Sequence, residues 1–293
     1  MQKKKLEVYH EHEEHHIDRS IAIIGSGNMG SALLKGIIHA KLAPPKKITA
    51  CDINETKLKI LADEWKIKTT TDIQAAVQAS DIILLCVKPQ TLSKALQSIQ
   101  SVIRPDQLVI SIVAGMRIAY IQQMLGERIG IVRTMPNIAA TVDEGAAALA
   151  FGEHVTAAQQ KIAISIFEAV GDVVTVAEDQ LDAVTGLSGS GPAYIYMVIE
   201  ALIDGGVKMG LSRDISTKLS IQTVLGSATL VKKSGLHPAI LRDQVTTPGG
   251  TTINAIHELE SHGLRSMLID AVAIATKRSE ELSKIMNSPA ASK

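Results

Sequence analysis

Three stretches of the sequence carry residue types whose spacing suits them to chemistry. The first is Gly25-Ser26-Gly27-Asn28-Met29-Gly30, a G-x-G-x-x-G pattern that follows the apolar run Ile21-Ala22-Ile23-Ile24 and opens a helical stretch. There the first glycine permits a tight turn, the second lets a pyrophosphate approach the backbone, and the third lets helix and strand pack closely. The free N–H groups and partial positive charge of the helix start complement phosphate. These six residues are therefore expected to bind a dinucleotide. Asp52 ends the next apolar run about twenty residues on, where an acid hydrogen-bonds the adenosine ribose. The other reading is that Asp52, or Asn54, caps the following helix. A carboxylate there repels a 2′-phosphate, and Lys57, one helical turn further, is a partial counterweight.

Ligands of open α/β sheets lie outside the carboxyl ends of strands. That adds Val87 and Lys88 of Val87-Lys88-Pro89, Ala114 of Ala114-Gly115, and Met135-Pro136-Asn137. Lys88 is placed either to reach a phosphate or to stand solvated at a strand end. The second stretch is Leu187-Ser188-Gly189-Ser190-Gly191-Pro192-Ala193-Tyr194, glycines and hydroxyls ahead of a helix, suited to an anion or to a cap. The third is Val245-Thr246-Thr247-Pro248-Gly249-Gly250-Thr251-Thr252. Its backbone N–H groups can form a carboxylate nest. Equally, it can be a plain turn between helices with a threonine N-cap. A fourth feature, His10, His12, His15 and His16 among Glu7, Glu11, Glu13 and Glu14, is either a metal-binding tract or a merely polar tail, and the tail is the reading adopted, with no metal site.

The elements that must position these residues follow from periodicity. Apolar runs bounded by turn signals alternate with helical stretches from Ser20 to about Asp179. That alternation predicts strands buried on both faces in a parallel, doubly wound sheet of Rossmann type. Beyond, strand runs disappear, and 193–209, 213–233, 251–261 and 264–285 carry helical periodicity. The expected organisation is a polar tail over 1–19, a dinucleotide-binding domain over 20–179, and an all-helical domain over 180–293.

The bulk composition excludes several classes. Lys+Arg and Asp+Glu are each 30, a balance that gives no reason to expect nucleic acid or an anionic membrane as partner. Aromatics are only 2%, so the core must be aliphatic. Cys51 and Cys86 are expected as buried free thiols, in keeping with a reducing cytoplasm. The first twenty residues carry no apolar run, so no secretory signal is expected. No stretch approaches the roughly 18 apolar residues of a membrane span.

The stretch from Leu181 to Gly210, with Leu-Ser-Gly-Ser-Gly-Pro-Ala-Tyr and Asp204-Gly205-Gly206-Val207-Lys208-Met209-Gly210, resembles pyrroline-5-carboxylate reductases. So does the segment from His237-Pro238 to Leu259 around Thr-Pro-Gly-Gly-Thr-Thr, and the glycine loop and Val87-Lys88-Pro89 agree. The resemblance spans 21–286. It implies reduction of 1-pyrroline-5-carboxylate to L-proline by hydride from NADPH or NADH. It also implies a helical dimerisation domain whose dimers in some members form decamers. Carried across, the substrate residues are Glu178, Gln244, Gly249, Gly250, Thr251 and Thr252, with Thr252 catalytic at the ring nitrogen. The nicotinamide would be set by Ala114 and the Ser188–Pro192 loop. Some relatives have Asn at the position of Gln244, Ala at that of Thr251, and a small polar residue or basic pocket at that of Asp52. A related imine reductase of other specificity is one alternative, and a 3-hydroxyacid reductase of the same two-domain build is the near one. Such enzymes use a lysine on the helix that here reads Ala193-Tyr194-Ile195-Tyr196-Met197-Val198, with none before Lys208.

Overall fold

The computed structural model describes residues 16–287. The histidine tract therefore lies outside the described residues, except for His16. The amino-terminal half alternates strand and helix: β1 (Ile21–Ile24), α1 (Asn28–His39), β2 (Ile48–Cys51), α2 (Glu55–Trp65), β3 (Lys68–Thr70), α3 (Ile73–Gln78), β4 (Ile82–Leu85), α4 (Pro89–Ile99), β5 (Leu108–Ser111), α5 (Ile118–Leu125), β6 (Gly130–Met135), β7 (Gly145–Phe151), α6 (Ala157–Glu168) and β8 (Gly171–Thr175). The eight strands form one sheet in the order β3-β2-β1-β4-β5-β6-β7-β8.

Strands β1 to β6 run parallel, which is the doubly wound Rossmann arrangement. One pair departs from it: β7 is antiparallel to β6. The reason is the link between them, a single 3-10 turn over Ile138–Val142 with no crossover helix, and only an antiparallel partner is reached by so short a path. Alternate residues of β1 feed two cores. Ile21 and Ile23 pack with Leu33, Leu34 and Ile37 of α1 and with Phe167 of α6. Ala22 and Ile24 pack with Ala76 and Val77 of α3 and with Leu92 of α4 on the other face. Burial on both faces is why these strands read as unbroken apolar runs.

After Thr175 every α or π element is helical: α7 (Leu181–Val184), a π-helical segment (Thr185–Gly189), α8 (Gly191–Lys208), α9 (Arg213–Ser234), α10 (Pro238–Gln244), α11 (Thr251–Ser261) and α12 (Leu264–Met286). Helix α10 has no counterpart in the periodicity, because seven residues with a proline at the start give no readable period. Helix α12 is fastened to α7 by a buried carboxylate. Asp182 Oδ1 accepts hydrogen bonds from Ser279 Oγ at 2.6 Å and Ser283 Oγ at 3.0 Å. Among the described residues no helix is long and apolar enough to cross a membrane.

Candidate active site

The strand order reverses between β1 and β4, so a crevice opens beyond their carboxyl ends. The glycine loop occupies it. Gly25 has φ +96°, and a Cβ there would lie 2.7 Å from the Cys86 carbonyl oxygen; a Cβ on Gly30 would lie 2.1 Å from the Gly25 carbonyl oxygen. Among the described residues nothing lies within 4 Å of a would-be Cβ on Gly27, so its face is open to a ligand. It N-caps α1 with no side-chain hydrogen bond, which leaves the first amides of the helix pointing outward. Ser26 is 1% exposed, and among the described residues its hydroxyl has no hydrogen-bond partner.

Asp52 splints this loop to β2. Its Oδ2 accepts from the Ser26 amide at 2.7 Å and its Oδ1 from the Asn54 amide at 3.0 Å. Asn54 is the N-cap of α2, its Oδ1 accepting from the Lys57 amide at 3.0 Å. The two readings of Asp52 and Asn54 are thus divided between the two residues: Asn54 caps, and Asp52 faces the loop. The flanking thiols are free. Desolvation, with the charges of Asp52 and Asp72 adding to it, pushes Cys51 up to about 11. Desolvation pushes half-buried Cys86 up to about 12. Both are inert at neutral pH.

Further along the crevice, Lys88 is exposed and N-caps α4 through its backbone; its carbonyl accepts from the Thr91 amide and hydroxyl. Among the described residues its ammonium makes no ion pair. Val87 and Ala114 stand half-buried past β4 and β5. The loop after β5 is held by the end of α12: Asn287 Nδ2 donates to the Gly115 carbonyl at 2.7 Å, and its Oδ1 accepts from the Arg117 amide at 3.0 Å. Glu178 Oε1 accepts from the Ile118 amide at 2.7 Å and from Arg133 Nη1 at 3.3 Å, where the Arg133 side chain is only 4% exposed. Asn137, at the end of β6, donates to the Ser188 carbonyl at 3.1 Å and accepts from the Ala146 amide at 3.1 Å. Ser188 is therefore not on a loop ahead of a helix. It lies in a π-helical turn, a form that gathers at functional sites, and runs on almost directly into α8.

The third stretch folds as a tight turn into α11. Gly249 has φ +67°, and the Gly250 amide donates to the Thr247 carbonyl at 3.0 Å. The N-cap of α11 is Gly250, not a threonine, and it offers no side-chain acceptor. The amides of Thr251, Thr252 and Ile253 accordingly have no helical partner. Among the described residues neither threonine hydroxyl makes a hydrogen bond. Thr252 is half-buried; Thr251 and Gln244 are exposed. Within one chain, no hydrogen bond or ion pair among the described residues joins 244–252 to the sheet or to the glycine loop. The sheet thus gathers Gly25 to Gly30, Asp52, Val87, Lys88 and Ala114 along one crevice, and the turn gathers Gly249, Gly250, Thr251 and Thr252 separately.

Comparison with known proteins accounts for both halves. Residues 178–282 match the family model described as pyrroline-5-carboxylate reductase dimerisation, and residues 20–115 match that described as NADP oxidoreductase, coenzyme F420-dependent. The chain is 47% identical over 267 residues to a pyrroline-5-carboxylate reductase of Methanosarcina acetivorans, covering 91% of this chain and 99% of that one. The chain belongs to the pyrroline-5-carboxylate reductase family. A solved member from Coxiella burnetii shares 36% identity and a TM-score of 0.86 over 90% of this chain and 98% of that one. A Plasmodium falciparum member, solved with NADP bound, shares 31% identity and a TM-score of 0.82 over 92% of this chain and 99% of that one.

A dinucleotide of the kind this family uses fits the residues present. The open face of Gly27, the uncapped start of α1 and the unpartnered Ser26 hydroxyl supply room and donors for phosphate. Several residues that shape the site escape sequence reasoning. Arg133 had a signal, a lone cation inside an apolar strand. Asp182 had a fainter one, since its partners Ser279 and Ser283 are spaced i, i+4 on α12. Asn287 had none, because its contact depends on how α12 is docked.

Proposed function

We propose that this chain reduces 1-pyrroline-5-carboxylate to L-proline, the last step of proline biosynthesis, with NADPH or NADH as reductant. The observation that carries the reading is the turn into α11. It combines three amides without helical partners and a half-buried threonine hydroxyl that makes no hydrogen bond among the described residues. Such a turn offers a carboxylate site and a hydrogen-bonding group within one helical turn.

The glycine loop, Asp52, Val87, Lys88 and Ala114 hold the dinucleotide, whose reduced nicotinamide supplies a hydride when bound. A protonated cyclic imine is already electrophilic, so the side chains contribute orientation and charge complementarity rather than strong acid catalysis. The backbone around Gly249 and Gly250 and the amides of Thr251 and Thr252 receive the substrate carboxylate. The Thr252 hydroxyl hydrogen-bonds the ring nitrogen and holds the ring against the nicotinamide. Gln244 lines the mouth of the turn. Glu178 serves the substrate side by fixing Arg133 and the start of α5. Because the turn and the crevice are not bonded within one chain, the turn of one subunit faces the crevice of its partner in a homodimer. Dimers assemble further, as a pentamer of dimers. The enzyme works in the cytoplasm on a small-molecule imine, without nucleic acid or membrane, and its boundary between dinucleotide and helical domains falls at 179/180.

The test is the loss of reduced-nicotinamide absorbance with pyrroline-5-carboxylate, with a 3-hydroxyacid run in the oxidative direction, and with no substrate. Turnover is expected with the imine alone. Turnover with the hydroxyacid, or none with the imine, overturns the reading.

A further inference from the structure

The carboxyl end of β2 carries an arrangement that bears on the choice between the two dinucleotides. Asp52 spends one oxygen on the Ser26 amide at 2.7 Å and the other on the Asn54 amide at 3.0 Å. Held from both sides, the carboxylate cannot swing away from whatever enters beside the loop. Each oxygen keeps lone-pair capacity, since an ionised carboxylate has about four acceptor sites. It can accept hydroxyl donors, as the ribose of NADH offers, but has nothing to donate to a 2′-phosphate.

The residues around it offer little compensation beyond Lys57. After Asp52 the lip reads Ile53, Asn54, Glu55 and Thr56, with no cation. Ile53, at the place where a basic side chain would meet a 2′-phosphate, is 95% exposed. Lys57 is half-buried inside α2, and among the described residues it makes no ion pair with Asp52. A second acid stands close by. Asp72, the N-cap of α3, binds the Gln74 and Ala75 amides through its Oδ1, and its charge and that of Asp52 both reach the Cys51 thiol, secondary there to desolvation. Two carboxylates and no paired cation make this end of the crevice negative. A 2′-phosphate carries close to two negative charges at neutral pH.

We infer that Asp52 is the specificity-determining residue for the dinucleotide, and that it selects NADH over NADPH by accepting the ribose 2′-hydroxyl where the lip lacks a cation for a 2′-phosphate. The inference rests on the reading of the glycine loop as a dinucleotide site. It narrows that reading from either cofactor to one.

The experiment is calorimetric titration of the full chain with NADH and with NADPH, without imine substrate, so that binding is read apart from turnover. NADH is expected to bind at least about tenfold more tightly, the scale of one lost hydrogen bond to a charged group plus repulsion. Asp52→Ser removes the charge, and the preference should narrow or reverse. Because that change also loosens the splint on Ser26, a second variant, Ile53→Arg, leaves Asp52 in place and adds a cation where the native side chain is already in solvent. It should tighten NADPH by about tenfold with little change for NADH. Equal affinities, or tighter NADPH, in the unmodified protein overturn the inference, as does a ratio that neither variant moves. Binding of neither nucleotide overturns the reading of the glycine loop itself, and the inference with it.

Discussion

At the scale of single residues, the proposed chemistry and the stability both turn on polar groups whose partners are missing or doubled. Thr252 is the clearest case of a missing partner. Other helical threonines of this chain, Thr223, Thr229 and Thr276, return their hydroxyls to the carbonyl four residues back. Thr252, in the first turn of α11, does not. Thr252→Ala is therefore expected to lower kcat/KM by roughly ten- to a thousandfold, the loss for one positioned polar contact, while Thr252→Ser restores most of it. Steady-state kinetics with pyrroline-5-carboxylate decides it; wild-type values in the alanine variant remove Thr252 from the chemistry. Asp81 illustrates the doubled partner. Burial works against its charge, but the Ser20 amide at 2.9 Å, the Ser20 hydroxyl at 2.8 Å, and the nearby Arg19 and Arg104 more than offset that and hold its carboxyl below the usual carboxylate range. A folded-state pKa below the unfolded one gives stability that is present above the unfolded value of about 3.9 and is lost as pH falls through the folded value. Wild type should thus be more stable than Asp81→Asn at neutral pH, and the gap in urea midpoint should close below about pH 4. A gap that stays constant with pH would falsify this. The turn that carries Thr252 was legible in the sequence through its motif. The clamps on Glu178 and Asp52 were not, because a carboxylate's partners depend on which strands lie side by side.

At the scale of elements, the strands of the amino-terminal half were legible because both of their faces are buried, and so were the long helices α8, α9, α11 and α12. What was not legible is how α12 is fixed. It returns across the chain to hold the β5–α5 loop through Asn287 and α7 through Asp182. Nothing local marks such a contact, since Ser279 and Asp182 are nearly a hundred residues apart. The π-helical turn at Thr185–Gly189 was missed for a related reason. Its glycines read as a loop, yet Gly186 is packed so tightly against α12 that a Cβ would lie 2.3 Å from Thr276 Oγ1. A flexible-looking composition here serves close helix approach. The Asp182 link gives an expected outcome. Asp182→Ala leaves two buried serine hydroxyls without their acceptor and should cost about 2–3 kcal/mol, read as a lower urea midpoint at unchanged slope. Circular dichroism at several urea concentrations measures it, and an unshifted midpoint means that α12 is held by packing alone.

At the scale of the whole molecule, the two halves of the chain differ in what they bury. The sheet is covered on both faces. Helices α8, α10 and α11 bury no residue at all within the described chain, and on α9 only Ser216 and Ser220 are buried. Large apolar side chains such as Met197, Leu219, Leu225 and Met267 are more than half exposed. An apolar surface of that extent does not persist on a monomer in water. A domain so poorly covered gains its stability from a second copy, which agrees with the dimerisation family that residues 178–282 match. Ile221 and Leu225 lie one turn apart on α9, both exposed, so charges at the two positions oppose association without removing any intrachain core. Ile221→Asp/Leu225→Asp is expected to shift the protein to monomer in size-exclusion chromatography with light scattering. Activity should fall by about a hundredfold or more, because under the proposed pairing across subunits the turn into α11 then loses its crevice. The unmodified protein should show a Tm that rises with protein concentration, as mass action requires of a dimer that is more stable than its monomer. A double variant that remains an oligomer would move the interface off this face of α9. A fully active monomer would do more, since it would place the turn and the crevice of one chain together and remove the reason for pairing them across subunits.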